Sequence, residues 1–164
     1  MNTITLPLPS TYGTNDRSVS RRLVSPAQTE SPPEVQSSSV SIDDARRVSK
    51  EALLLAAEEA GENDWDSFAG RPVTQDTVFH SLVFLEALPT TVVPPEISVH
   101  PDGEIGLFWT RGPRRTVAIS VAPTGLLSFA SLHGHSRLHG SEYLLNGLPS
   151  SIANVLRQLY ADDA

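Results

Sequence analysis

The chain has 164 residues and no cysteine, so disulfide frameworks and thiolate metal sites are excluded. Its 12 Lys and Arg against 19 Asp and Glu give a formal net charge of −7, and an acidic body repels phosphate backbones, which argues against nucleic acid as a partner. No apolar run approaches the roughly 20 residues of a membrane span.

Residues 1–40 are rich in Ser, Thr and Pro and poor in large apolar residues. A segment of that kind cannot bury enough surface to offset its ordering entropy, and it is expected to be a flexible, disordered tail. Pro7 and Pro9 break the short apolar stretch Ile4-Thr5-Leu6, and no basic residue precedes it. The start therefore does not read as a secretory signal, and the cytoplasm is the expected compartment. Arg17, Arg21 and Arg22 balance Asp16, Glu30 and Glu34, leaving the whole −7 on residues 41–164. Those residues are expected to form one α+β domain.

Ser41 with Asp44 has the spacing of a capping box and predicts a helix start. Ala45, Val48, Ala52 and Leu55 recur at helical spacing, widened by Leu53, Ala56 and Ala60, and are expected to pack on the core. Gly61 is the expected stop. A connecting stretch follows, Asp64-Trp65-Asp66-Ser67-Phe68-Ala69-Gly70-Arg71-Pro72-Val73. Trp65 and Phe68 are expected to anchor it on the core, and Arg71 to pair with Asp66. Thr74 caps a second helix whose Val78, Phe79, Leu82, Leu85 and Leu88 form a broad apolar face, extended by Val83 and Phe84. That helix should be the more buried of the two, and Pro89 ends it.

From Glu96 the period changes to two. Ile97 and Val99, then Ile105, Leu107 and Trp109, then Val117, Ile119 and Val121, then Leu127 and Phe129, alternate with small or polar residues. His100-Pro101-Asp102-Gly103, Arg111-Gly112-Pro113-Arg114 and Ala122-Pro123-Thr124-Gly125 separate them as tight turns. Residues 138–145 make a fifth candidate strand beyond the turn at His133-Gly134-His135. Short successive turns predict an antiparallel meander of four or five strands. One face should be packed by helices. The other, with Ser98, Gly106, Thr110, Ser120 and Ser128, should be wet or cover a partner. A last helix opens near Pro149 and carries Ile152, Val155, Leu156 and Leu159 on one stripe, with Asp162 and Asp163 expected at a frayed end. The predicted architecture is two helices, a meander and a C-terminal helix.

The residues Trp65-Asp66-Ser67-Phe68-Ala69-Gly70-Arg71-Pro72-Val73, with Asp102-Gly103-Glu104-Ile105-Gly106-Leu107-Phe108-Trp109 and Gly140-Ser141-Glu142, resemble a family of small bacterial proteins. The likeness spans about residues 50–160. That family carries no established activity, so the resemblance implies a coherent domain and, through the mobile-element and host-defence neighbourhoods of its members, a regulatory role.

Three groups stand out as candidate sites. His133, His135 and His139 offer imidazoles at a spacing a metal ion can use, with Glu142 as an added carboxylate, although a solvated turn explains them more simply. Asp64 and Asp66 around Trp65 offer paired carboxylates, yet the same residues read as turn caps and an anchor. Arg111, Arg114 and Arg115 form a basic hairpin tip suited to an acidic partner, or an ordinary charged turn. No nucleophile elbow, phosphate loop or His-Glu-x-x-His run is present, and no cofactor is called for. The expected function is a non-enzymatic protein-interaction module of the antitoxin or immunity kind. Its partner surface would use Arg111, Arg114, Arg115, Trp65 and Asp66, and the open sheet face or edge could receive a second copy. A metal-dependent hydrolase built on His133, His135 and His139 is the alternative.

Overall fold

The computed structural model describes residues 41–161. The expected tail over residues 1–40, the tail–domain boundary, and Asp162 and Asp163 lie outside the described residues.

The chain runs α1 (Ile42–Glu59), α2 (Gln75–Ala87), β1 (Glu96–Val99), β2 (Ile105–Thr110), β3 (Arg115–Val121), β4 (Leu126–His133), β5 (Ser136–Tyr143) and α3 (Ser150–Tyr160). The five strands form one antiparallel sheet in the order β1-β2-β3-β4-β5, the expected meander. No described helix is long and apolar enough to cross a membrane.

Local chemistry sets the helix starts. Ser41 accepts the Asp44 N–H at 3.1 Å and donates its hydroxyl to the Asp44 carboxylate at 2.8 Å. Thr74 accepts the Thr77 N–H at 3.2 Å. Pro149 sits just before the first turn of α3 rather than within it, and α3 has no side-chain cap.

The register fixes the faces, because directly paired residues share a side. Leu107 opposes Ile97 and Ile119, and Ile119 opposes Phe129. These residues face the helices. Their core includes Leu53 of α1, Phe84 and Leu85 of α2, and Ile152, Val155, Leu156 and Leu159 of α3. The α3 stripe is buried as predicted, residue for residue.

The expected stripe of α1 is buried only at its widened edge, Leu53 and Ala60, and not at its centre. Val48 is 53% exposed and Leu55 58%, while Ser49, Leu53, Ala57 and Ala60 are buried. Two polar contacts accompany this arrangement. Arg46 donates to the carbonyl of Leu88, which has no partner within α2, and Lys50 pairs with Glu86. Both join α1 to the C-terminal end of α2. Helix α2 keeps its predicted face at Leu85 and Leu88, which are buried, and at Val78 and Leu82, which pack on the core, and departs from it elsewhere. It buries Thr77, Ser81, Phe84 and Leu85, and leaves Phe79 exposed.

Candidate functional site

The connecting stretch after α1 is a tight loop held by its own carboxylates. Asp64 accepts the Ala69 N–H at 2.7 Å. Asp66 accepts the N–H groups of Phe68 and Gly70, each at 2.8 Å. Those two backbone donors hold the Asp66 carboxyl below its ordinary range. Asp64, Ser67 and Ala69 all take positive φ, at 62°, 61° and 66°. Side chains rarely adopt that conformation, and the aspartate bonds are what maintain it here. Trp65 is half-buried and donates its indole N–H to the Arg71 carbonyl at 3.0 Å.

Two expectations for this loop are corrected. Phe68 is 87% exposed and anchors nothing. It follows Ser67, whose left-handed turn accompanies a chain reversal away from the core. Among the described residues no ion pair joins Arg71 to Asp66, since both Asp66 contacts go to backbone. Arg71 works through its main chain instead. Its N–H donates to Pro101 at 2.8 Å, tying the loop to the β1–β2 turn. At Gly103 of that turn φ is +83°, and a Cβ would come within 2.7 Å of the Pro72 carbonyl. Only glycine meets both conditions. The loop is thus a clasp on the first hairpin.

The clasped turn places His100, Asp102 and Glu104 together. Their ligand-type atoms all lie within 4.8 Å of one another. The His100 N–H donates to the Glu104 carbonyl at 2.9 Å, and Asp102 accepts the Glu104 N–H at 3.1 Å. Glu104 also accepts the hydroxyl of Ser120. This group was missed in the sequence because His-Pro-Asp-Gly-Glu reads first as turn chemistry. The available signal was three ligand residues at alternate positions across one tight turn.

The group borders the uncovered face of the sheet. There the register aligns Ser98, Gly106, Ser120, Ser128 and Ser141 in one row across all five strands. Phe108, Ala118 and Ala130 form the next row. Ser98, His100, Phe108 and Ser120 help to line a depression of about 340 Å³. At Gly106 a Cβ would meet His100 Nε2 and Ser98 Oγ, each at 2.5 Å. The absent side chain lets both neighbours lie across β2.

The hairpin arginines do not act as one patch. Arg111 lies over the Tyr160 ring, 4.7 Å from its centroid. Burial pushes the Tyr160 hydroxyl up from its ordinary range. Arg114 contacts His135 Nδ1 at 3.0 Å, and Arg115 donates to the Ala161 carbonyl at 3.0 Å, past the end of α3. The histidines are likewise separated. His133 pairs with Ser136 and shares the side of Phe129, whereas His139 pairs with Ala130 on the uncovered face. His135 sits in the turn between them. Opposite faces of one hairpin cannot supply ligands to one ion without backbone movement. Among the described residues His133 Nε2 is buried without a hydrogen-bond partner.

A second surface lies on α1. Val48, Ala52 and Leu55 are exposed on the side opposite Leu53. Glu51, Glu58 and Glu59 are exposed beside them. No family model, curated protein or solved structure matches the chain.

Proposed function

We propose that this domain is a non-enzymatic protein-interaction module, of the antitoxin or immunity kind, that captures a basic amphipathic segment of another protein. The exposed apolar stripe of α1 carries this reading. A helix whose Leu53 side is fully buried gains nothing for its own fold from Val48 and Leu55 on the other side. The bordering glutamates select a basic rim on the partner. The acidic net charge of the domain adds long-range attraction for the same partner. Phe68, held outward on the clasp, supplies a further aromatic contact of the kind that dominates interfaces.

The test is co-purification from the source organism with wild type and with Val48→Asp/Leu55→Asp. A single basic protein recovered in stoichiometric amount with wild type and lost with the variant, at an unchanged melting temperature, supports the reading. Equal recovery with both, or no stoichiometric partner, overturns it.

A further inference from the structure

We propose that His100, Asp102 and Glu104 bind a divalent first-row transition-metal ion, with Zn²⁺ as its representative, at the edge of the uncovered sheet face. The site is independent of the partner reading, because it is measured on the free protein.

Four observations carry it. The donor atoms lie within 4.8 Å of one another. An ion held at about 2.1 Å by three ligands needs donors about 3.5 Å apart. Binding an ion there requires side-chain rotation to close that difference. The backbone is also fixed. The turn is closed by the Gly103 N–H to the His100 carbonyl at 2.9 Å, and clasped from outside by Arg71 at 2.8 Å. A preorganised site spends less of its binding energy on ordering ligands.

Neither carboxylate is engaged by a cationic side chain among the described residues. Among the described residues the ion pairs use Asp44, Glu51 and Glu86, and none uses Asp102 or Glu104. Two carboxylates beside an imidazole offer oxygen donors and one nitrogen donor. One nitrogen with two oxygens suits zinc or manganese better than the all-oxygen sites of calcium and magnesium.

The surroundings are shaped for it as well. Gly106 leaves the space through which the His100 imidazole reaches across β2. Ser120 donates to Glu104 and orients that carboxylate, the usual task of a residue behind a metal ligand. Three protein ligands leave a coordination position open, as in sites that take an exchangeable ligand. His100 also lines the 340 Å³ depression, so the open position adjoins a space lined by Ser98, Ser120 and Phe108. A carboxylate or imidazole presented there by another molecule is the chemical class it would accept.

The experiment titrates Zn²⁺ into chelator-treated full-length protein bearing no polyhistidine tag, by calorimetry, with Co²⁺ absorption as a spectroscopic signature. One equivalent is expected. His100→Ala should weaken binding at least about tenfold, the scale that even supporting contacts reach. Gly106→Ala should do the same by displacing the imidazole, and Ser120→Ala should cost about tenfold. His135→Ala and His139→Ala should bind as wild type. Melting curves confirm that each variant folds, and His100→Ala removes a side chain from outside the core. Absence of saturable binding by wild type overturns the proposal. So does binding that survives His100→Ala or is lost in His135→Ala or His139→Ala.

Discussion

Gly70 shows how closely the clasp is built. A Cβ there would meet the Asp66 carboxylate and the Trp65 indole nitrogen, each at 2.8 Å. Gly70→Ala must therefore disturb two sets of hydrogen bonds at once. It should lower stability by about 1–3 kcal/mol, the range for forced overpacking, as read from urea unfolding. Trp65→Ala should cost less than the roughly 3–5 kcal/mol of a fully buried aromatic, because Trp65 is only half-buried. The Asp66 carboxyl titrates below its ordinary value near 3.8 because the Phe68 and Gly70 N–H groups favour its charged form. Its contribution is thus fully present above the unfolded value and is lost as pH falls through the lowered folded one. Asp66→Asn should flatten that acid limb in urea midpoints measured across the carboxylate range. An unchanged limb would show that other acids dominate it. At this scale the sequence was informative about type and silent about direction. Asp64 and Asp66 read as turn caps and are turn caps. Phe68 had no local signal that three positive-φ residues would turn it outward.

Helix α1 is the element on which sequence reasoning failed most clearly. Val48, Ala52 and Leu55 recur at helical spacing, yet the side with Ser49, Leu53, Ala57 and Ala60 faces inward. Periodicity ranks faces by apolar content. Packing between α1 and α2 also rewards small residues that let backbones approach, together with partners for orphan carbonyls such as that of Leu88. The contrast is measurable. Leu53→Ala should cost about 2–5 kcal/mol as a core truncation. Leu55→Ala should stay within about 0.5 kcal/mol, as for a surface change. Equal losses in chemical denaturation would place Leu55 in a packed environment. Helix α3 and strands β2 to β4 were legible because each has one clear apolar side, whereas β5, expected over residues 138–145, runs Ser136–Tyr143 and has none. The His100 group was not legible, because convergence across a turn belongs to the paired strands and to no single strand's pattern.

The domain has one core from Leu53 to Leu159, which includes one of the two tryptophans and leaves the other outside it. Trp109 is buried in the sheet, with its indole N–H on the Val93 carbonyl at 2.7 Å, and Trp65 lies in the clasp. A single core should unfold in one transition. Trp65→Phe and Trp109→Phe therefore give fluorescence probes of each part, and their urea curves should coincide. An earlier transition reported by Trp65 would mean that the clasp opens while the sheet persists, and with it the support of the His100 turn.

The neighbour-only order of the strands also governs how quickly the domain assembles. Each strand pairs with the next across a short turn, so the sheet can zip up through local hairpins whose closure entropy is small. The contacts of α1 with β1 and of α3 with β3 and β4 are expected to be the later ones, to be checked by φ-values from stopped-flow refolding. The β3–β4 pairing should accordingly form early and the α1 contacts last.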